Sequence, residues 1–303
     1  MPPTSRLARL QQALVAALAA AALAWFVTHW RASPVNAVAG VLVIAFAHAW
    51  VLAWEGILVW FVSRGDTAPR PSPAELAAAW WAEVWCAPRV FYWRQPFRWR
   101  AVPDDLGSHT RGKRGIVFIH GFVCNRGLWT PWLERVRKRG HAYVAVNLEP
   151  VFGSIDDYAE IIESAVRDVA SATGMPPVLV CHSMGGLAAR AWLRKAADAS
   201  RAHRVITIAS PHAGTWLARF SHVINGSQMR RGGSWLLQLA ADEAGRPRPP
   251  FTCWYTHCDN IVLPASTATL AGADNRLVLG AAHVDLAFHP RVMDETLLLA
   301  LGM

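Results

Sequence analysis

The sequence predicts an α/β domain with a mainly parallel sheet, preceded by an N-terminal transmembrane helical hairpin. Three observations lead to this prediction. Two long apolar runs lie before residue 65, strand and helix patterns alternate from about residue 115, and a serine stands at a predicted strand-to-helix turn. The 303 residues are 53% hydrophobic and 17% charged, whereas soluble domains carry about 25% charged residues. The composition therefore indicates a chain that is only partly exposed to water.

Residues 1–65 carry the two apolar runs. Leu10–Trp30 contains 21 residues and Ala32–Trp54 contains 23 without Asp, Glu, Lys or Arg, and the second run continues after Glu55. A helix of about 20 apolar residues crosses a bilayer, and tryptophans near the ends of such helices suit the membrane interface. We therefore predict two transmembrane helices that form a hairpin with its turn at residues 31–34.

Basic residues set the expected orientation of this hairpin. Arg6 and Arg9 precede the first helix, Arg31 alone lies in the turn, and Arg64 and Arg70 follow the second. Positively charged flanks stay on the cytoplasmic side, so we expect a two-pass protein of the bacterial inner membrane with a cytoplasmic C-terminal domain. The alternative is that the first run is a cleaved signal peptide, which leaves the domain on the same side.

Two ionisable residues interrupt the second apolar run. His48 and Glu55 are seven residues apart and therefore lie on one face of a helix. Ionisable groups inside a membrane often mark functional sites, but Glu55 lies late enough in a long helix to reach the interface. We expect a structural role for both.

Residues 66–113 are predicted to form an aromatic and basic connector at the membrane interface. Within residues 72–100, eight aromatic residues alternate with four arginines, and ten of the 16 tryptophans precede residue 101. Aromatic and basic residues together are typical of a membrane-surface element. The same aromatic residues would also cover one face of the following domain, and both interpretations stay open.

From residue 114 to 303 the sequence alternates between strand-like and helix-like segments. The short β-rich runs are Ile116–His120, Ala142–Leu148, Val178–Cys181, Val205–Ala209, Thr252–Thr256 and Arg276–Leu279. Helical patterns lie between them, notably at Leu128–Arg139, Ile155–Ala172 and Met184–Ala199. Strands that alternate with helices of this length form βαβ units and a mainly parallel sheet.

The net charge of +9 is concentrated in the N-terminal part of the chain. Residues 1–114 hold 12 Lys and Arg against 6 Asp and Glu, and residues 115–303 hold 18 against 15. The excess suits anionic lipid, and no zinc-finger, helix-turn-helix or RNA-binding pattern accompanies it. We expect the lipid bilayer as a partner and no nucleic acid.

The five cysteines, an odd number, show no CxxC or zinc-ligand spacing. This pattern indicates buried free thiols. A Cys253–Cys258 bridge is the alternative if the domain faces an oxidising compartment.

Ser183 is the predicted nucleophile. It lies in the segment CHSMGG, which follows the strand pattern PPVLV and precedes a helical segment. A strand, a sharp turn and a helix expose a serine hydroxyl at the helix N-terminus, and small neighbours such as Gly185 let the two backbones pass closely. The pattern departs from G-x-S-x-G at its first position, where Cys181 replaces glycine.

An attacking serine needs a base and a carboxylate that orients the base. Asp259 directly follows a strand-like run, at the sheet edge where active-site groups of such folds gather, and Asp274 is the second choice. His283 follows the last strand-like run in the small-residue loop LGAAHVDL, which leaves its imidazole free to reach Ser183. We therefore predict Ser183, Asp259 and His283 as the catalytic residues.

A tetrahedral oxyanion needs two backbone N–H donors. One is expected from Met184, directly after the nucleophile. The other is expected from Phe122, because Gly121 in the FIHGF segment lets the next amide turn inward. His120 is a candidate for holding this loop in shape.

These segments together resemble a known family. FIHGF, CHSMGG, IASPHAGTWLA, HCDNIV and AAHVDLAFHP look like the motifs of bacterial triacylglycerol lipases of the α/β-hydrolase superfamily and, more distantly, of GPI-inositol deacylases. The resemblance covers roughly residues 114–303 and implies an α/β-hydrolase fold with a small cap at about residues 216–250. It implies the same five site residues: Ser183, Asp259 and His283 as the triad, Phe122 and Met184 as oxyanion donors.

Two features depart from the secreted lipases of this group. Many of those lipases bind a structural calcium near the catalytic histidine, and Asp285 stands where one ligand would lie, but no convincing second carboxylate accompanies it. We therefore predict no metal and no cofactor. The N-terminal hairpin is the second departure, and it argues for substrates in or near the bilayer.

The function predicted from the sequence is a membrane-anchored serine hydrolase that cleaves carboxylic esters, with lipid or acyl esters as substrates. One alternative is an acyltransferase or thioesterase that uses the same triad. Another is a non-enzymatic membrane scaffold with a hydrolase-like fold. A complete set of Ser, Asp and His in the expected order argues against the scaffold.

Overall fold

The sheet that the sequence predicts is present in the computed structural model, which describes residues 5–196 and 198–302. Its six strands are β1 (Ile116–Ile119), β2 (Tyr143–Ala145), β3 (Val178–His182), β4 (Arg204–Ile208), β5 (Phe251–Thr256) and β6 (Asp274–Val278). They lie in the order β2–β1–β3–β4–β5–β6, and every pair is parallel. The predicted run Ala142–Leu148 is shorter than expected, because only three of its residues pair with β1 at the sheet edge.

Helices cover both faces of the sheet. The α-helices are α1 (Arg6–Trp30), α2 (Pro34–Ala45), α3 (Ala47–Val62), α4 (Pro73–Pro88), α5 (Gln95–Phe97), α6 (Thr130–Lys138), α7 (Ala159–Thr173), α8 (Met184–Lys195), α9 (Ile224–Gln228), α10 (Ser234–Glu243) and α11 (Pro290–Leu301). A π-helical segment spans Arg89–Arg94. Short 3₁₀ turns lie at Ser108–Thr110, Arg126–Trp129, Ile155–Tyr158, Ala199–Arg201, Trp216–Phe220, Ala265–Ala268 and Asp285–Phe288.

Alternation along the strands divides the hydrophobic core between the two faces. Phe118 belongs to one core cluster, with Trp132 of α6 and Leu297 of α11. Its neighbour Ile119 belongs to the other, with Ile162 of α7 and residues of α8. Successive side chains of a strand point to opposite faces, and a parallel sheet buried on both faces has continuous apolar strands. All four residues of β1 are accordingly buried.

The N-terminal apolar segment differs from the predicted pair of transmembrane helices in its second run, which is not one continuous helix. α1 is the one described helix that is by itself long and apolar enough to cross a membrane. The second predicted span is broken at Phe46 into α2 and α3, which are bent by 51° and qualify only when counted together. Their 12 and 16 residues give lengths of roughly 18 and 24 Å, each shorter than the ~30 Å hydrocarbon core.

Contacts with α4 explain the position of α3. The imidazole of His48 lies with its Nε2 3.1 Å from the Val84 carbonyl oxygen, and Trp80 Nε1 donates to the Ala49 carbonyl oxygen at 2.8 Å. These bonds attach the start of α3, directly after the break, to α4. His48 and Glu55 share a face, as predicted, and both side chains bond to residues outside the apolar segment.

The connector has a buried side and an exposed aromatic side. Val84 and Val90 are buried, and Val90 joins the core cluster that contains Phe118. Trp81, Trp85, Trp93 and Phe97 are exposed. One side of the connector therefore covers the domain, as the second interpretation expects. The other side presents aromatic rings outward, as a membrane-surface element would.

The N-terminal helices attach to the edge of the sheet where the strands end. Glu149 Oε1 accepts a hydrogen bond from the Arg6 amide at 2.7 Å, and Asn260 Nδ2 donates to Glu55 Oε2 at 2.7 Å. Glu149 follows β2 and Asn260 follows β5. Parallel strands end at one common edge, where ligand sites of α/β sheets also lie. The apolar helices and the predicted site therefore share one side of the molecule.

The segment between β4 and β5 contains the predicted cap region, with α9 and α10. α10 is fixed to α8, because Arg190 Nε and Nη2 donate to the two carboxylate oxygens of Glu243 at 2.8 and 2.6 Å. Phe220, Ile224 and Leu237 are exposed on this segment. All five cysteines are buried and free, so the alternative Cys253–Cys258 bridge does not form.

Candidate active site

Ser183 lies at a strained turn between β3 and α8. Its backbone has φ 54° and ψ −130°, a conformation that non-glycine residues rarely adopt. Such strain, about 1–3 kcal/mol, persists only where the surrounding structure enforces it, and it is common at active sites. Here the Ser183 amide donates to the Ile208 carbonyl oxygen at 2.9 Å. The turn places the side chain beyond the end of the sheet.

Glycines adjoin Ser183 because neighbouring atoms leave no room for a side chain. A Cβ at Gly185 would stand 2.4 Å from the Ile119 carbonyl oxygen, and one at Gly121 would stand 2.6 Å from Ser183 Cβ. These distances are shorter than any van der Waals contact. Cys181, which replaces the first glycine of the motif, is tolerated because its side chain is buried in the core.

Asp259 and His283 form a buried pair. His283 Nδ1 lies 2.9 and 3.0 Å from the two carboxylate oxygens of Asp259. Asp259 Oδ1 also accepts the amides of Ile261 and Val262 at 2.9 and 2.7 Å, which fixes the carboxylate in its turn. The structure thus brings together two of the residues predicted as catalytic, on the loops that follow β5 and β6.

Asp274, the second choice for the acid, lies away from this pair. It is the first residue of β6, whereas His283 follows the opposite end of that strand. The five residues of β6 extend roughly 16 Å. Asp274 is exposed and accepts a 2.8 Å hydrogen bond from Arg276 Nε.

His283 is the proton-accepting group that the electrostatics favour. Burial lowers the pKa of His283, but the charge and hydrogen bond of Asp259, together with the charge of Glu83, outweigh it and raise the pKa above its ordinary value. The neighbouring ring of His182 lies with its centroid 4.8 Å away. Burial and the charge of His283 lower the pKa of His182 to about 3. His182 therefore stays neutral and does not compete for the proton.

The amides of Phe122 and Met184 are available to an oxyanion. Within residues 5–196 and 198–302, neither N–H donates a hydrogen bond to another protein group. The loop of Phe122 is held by His120, whose Nδ1 lies 2.9 Å from the Gly121 carbonyl oxygen and whose Nε2 accepts the Leu148 amide at 3.0 Å. Burial lowers the pKa of His120 to about 4. A neutral ring suits this pair of bonds, with the proton on Nδ1.

His182, which directly precedes Ser183, contacts the backbone of His283. The Nε2 atom of His182 lies 3.2 Å from the His283 carbonyl oxygen. No hydrogen bond joins Ser183 Oγ to the His283 imidazole in the described chain. Contacts between nucleophile and base often close only when substrate binds, so this geometry is compatible with the predicted roles.

Sequence reasoning missed two polar groups that bind the loop of His283. Asn260 Oδ1 accepts the His283 amide at 3.0 Å, and Glu83 accepts the amides of Val284 and Asp285 at 3.0 and 2.9 Å. Some signal was present, because Glu83 is the one carboxylate within residues 80–100 and Asn260 directly follows the predicted acid. The spatial partners of these groups lie at least 20 residues away in sequence and carry no local pattern.

Asp285 does not take part in a recognisable metal site. In the part of the chain that the structure describes, no group of three or more His, Cys, Asp or Glu side chains is placed to hold a metal ion. Burial raises the pKa of Asp285. Its amide, rather than its carboxylate, makes the contact with Glu83.

A cavity of about 850 Å³ lies at the other edge of the sheet, where the strands begin. Pro176, His203 and Pro250, which precede β3, β4 and β5, contribute to its lining. It contains none of the predicted catalytic residues. The residues predicted as nucleophile, acid and base follow β3, β5 and β6, at the opposite, carboxyl edge of the sheet.

Comparison with known proteins identifies the family of this chain. The profile of the alpha/beta hydrolase family matches residues 116–295. The chain belongs to the alpha/beta hydrolase family. The matched range includes all five predicted site residues of this alpha/beta hydrolase, and α1 to α5 lie outside it. The predicted resemblance is thus confirmed for the family and the fold.

Solved structures share the fold of this alpha/beta hydrolase. The mature lipase BlEst2 of Bacillus licheniformis is 17% identical, with a TM-score of 0.56 over 63% of this chain and 93% of that chain. Its propeptide form is 18% identical, with a TM-score of 0.55 over 66% and 51% of the two chains. The monoacylglycerol lipase of Paleococcus ferrophilus is 15% identical, with a TM-score of 0.45 over 61% and 95%. A search of curated proteins gives no match.

Proposed function

We propose that this alpha/beta hydrolase is a membrane-anchored serine hydrolase that cleaves carboxylic esters of lipids or other acyl compounds. The observation that carries the proposal is the buried Asp259–His283 pair at the same sheet edge as the strained Ser183 turn. A hydroxyl on such a turn, a histidine and an orienting carboxylate are the components of acyl transfer through a covalent intermediate.

The proposed reaction has two steps. Ser183 Oγ attacks the ester carbonyl while His283 accepts its proton, and the Phe122 and Met184 amides stabilise the oxyanion. His283 then donates that proton to the leaving alcohol, and an acyl-enzyme forms. Water next attacks the acyl group with His283 again as base, and the proton returns to Ser183 as the acid is released. Asp259 holds the imidazole and stabilises its charged form.

The anchoring part of the proposal rests on apolar side chains that face outward. Leu14, Leu23, Val27 and Trp30 of α1 are exposed, and similar residues continue along α2 and α3. An apolar surface of this extent is typical of contact with a membrane. Since these helices attach at the carboxyl edge of the sheet, Ser183 lies on the side from which bilayer lipids approach. The arginine distribution supports a cytoplasmic domain at the inner membrane.

Hydrolysis of p-nitrophenyl esters from C2 to C16 by the detergent-solubilised protein tests this function. We expect rates that increase with acyl length and a loss of at least about 10³-fold in Ser183→Ala. Ser200→Ala, which changes an exposed serine, is the matched control and should keep wild-type activity. A fluorophosphonate probe should label the wild type and Ser200→Ala but not Ser183→Ala.

Other outcomes point to the alternatives. Faster cleavage of thioesters, or transfer of the acyl group to an added alcohol in preference to water, would identify a thioesterase or acyltransferase at the same site. Unchanged activity in Ser183→Ala would mean that another residue is the nucleophile. Absence of both hydrolysis and labelling in the wild type would contradict the enzymatic proposal and favour a scaffold.

A further inference from the structure

A buried carboxylate from outside the hydrolase domain contacts the loop of His283. Glu83 of α4 is 2% exposed. Its Oε1 accepts the Val284 amide at 3.0 Å, and its Oε2 accepts the Asp285 amide at 2.9 Å. No Lys or Arg in the described chain forms an ion pair with it. Burial of a carboxylate without a cationic partner is unfavourable, so the two backbone bonds are the contacts that hold Glu83 in this place.

A second carboxylate reaches the same loop through Asn260. Asn260 Oδ1 accepts the His283 amide at 3.0 Å, while Asn260 Nδ2 donates to Glu55 Oε2 of α3 at 2.7 Å. Three consecutive amides, those of residues 283–285, are therefore bound by groups outside the loop. Glu83 binds two of them, and the Glu55–Asn260 pair binds the third.

Besides these amide bonds, the loop is held by Thr256 Oγ1, which donates to the Ala281 carbonyl oxygen at 2.8 Å, and by the 3.2 Å contact of His182 Nε2 with the His283 carbonyl oxygen. The loop begins at the exposed Leu279 and passes through Gly280, which has φ 73°. Two alanines precede His283. Both alanines are buried, and Asp259 bonds the imidazole directly. Proton transfer requires the position of the imidazole to within a fraction of an ångström, so the bonds to the backbone amides of the loop contribute to that position as well.

We propose that Glu83 and the Glu55–Asn260 pair are positioning residues that hold His283 in reach of Ser183, so that α3 and α4 complete the active site of the hydrolase domain. This inference rests on the proposed function. It assigns a catalytic requirement to two helices that lie outside the family match at residues 116–295. The helices that attach the protein to lipid thereby also set the geometry of the base.

Substitution of Glu83 gives the first test. In Glu83→Ala both acceptors are lost, and we expect kcat for the preferred p-nitrophenyl ester to fall on the order of 10²-fold, with KM changed by less than about 3-fold. Glu83→Gln keeps one acceptor oxygen and should be intermediate. Glu134→Ala, which removes an exposed carboxylate of α6, is the control and should match the wild type. Rates are expressed per site titrated with a fluorophosphonate, so unfolded protein does not contribute.

The second test reverses the direction of the hydrogen bond between residues 55 and 260. It leaves Glu83 unchanged. Asn260→Asp places a second carboxylate against Glu55 and should lower kcat by displacing the loop. The double variant Glu55→Gln with Asn260→Asp restores one donor and one acceptor with the direction reversed, and kcat should recover. Recovery is a readout that general destabilisation does not produce, because the double variant carries more changes than the single one.

The outcomes separate this inference from the proposed function. If the wild type neither hydrolyses esters nor reacts with the probe at Ser183, the proposed function is wrong. If the wild type is active and Glu83→Ala and Asn260→Asp keep wild-type kcat per titrated site, the function stands and the positioning role is overturned. If Glu83→Ala does not fold, the positioning role is tested by kcat of Glu83→Gln and by recovery of kcat in the double variant. Wild-type kcat in Glu83→Gln together with no recovery in the double variant would overturn it.

Discussion

At the scale of single residues, the hydrogen bond between Asp259 and His283 predicts a specific pH dependence. His283 acts as a base only when neutral, so kcat/KM should rise with pH through the raised pKa of His283. Asp259→Asn removes the largest of the charges that raise the pKa of His283, while burial continues to lower it and the charges of Glu83 and Glu55 remain. We expect the acid limb of the kcat/KM profile to move to lower pH, while kcat falls on the order of 10⁴-fold.

Asp274→Asn is the matched control for this substitution. Asp274 was the other carboxylate considered for the triad, and it lies at the far end of β6 in contact with Arg276. We expect its kcat and its acid limb to equal those of the wild type. If the acid limb of the kcat/KM profile moved in Asp274→Asn but not in Asp259→Asn, Asp274 rather than Asp259 would be the carboxylate that acts on His283.

At the scale of elements, the attachment of α3 to α4 predicts a difference between two adjacent tryptophans. Trp80 Nε1 donates to the Ala49 carbonyl oxygen, whereas Trp81 is exposed and makes no hydrogen bond among the described residues. Trp80→Phe should lower the free energy of unfolding by about 1–2 kcal/mol, and Trp81→Phe by less than about 0.5 kcal/mol. Thermal unfolding in one detergent measures both, and equal effects would mean that this bond does not hold the helices together.

Some elements could be predicted from the sequence and others could not. β1 and β3 are apolar and adjacent to glycine-rich turns, so local pattern was sufficient to predict the parallel sheet and the Ser183 turn. Asp259 was chosen because it follows a strand, which local pattern also reveals. The break at Phe46 was not predicted, because no proline or glycine marks it and its contacts to α4 come from residues more than 30 positions away in sequence. Glu83 was missed for the same reason, since its partners are 201 and 202 residues away.

At the scale of the whole molecule, the common attachment edge of the apolar helices and the candidate site predicts an orientation relative to the bilayer. Trp93 is exposed on the connector, two residues before Gln95, whose carbonyl oxygen accepts a hydrogen bond from Asn125 in the segment that follows β1 at this edge. Ser200 is exposed in the turn before β4, at the opposite edge. Because all five native cysteines are buried, a single introduced surface cysteine can be labelled selectively.

Labelled Trp93→Cys and Ser200→Cys in proteoliposomes measure this orientation. We expect a fluorophore at position 93 to be quenched by doxyl-labelled lipid and protected from aqueous iodide, and a fluorophore at position 200 to show the reverse. Each variant should first retain ester hydrolysis, which shows that the label has not displaced the domain. Equal iodide quenching at both positions would place the carboxyl edge in water. In that case α1 would serve only as a tether, and the proposed approach of substrate from the bilayer to Ser183 would be wrong.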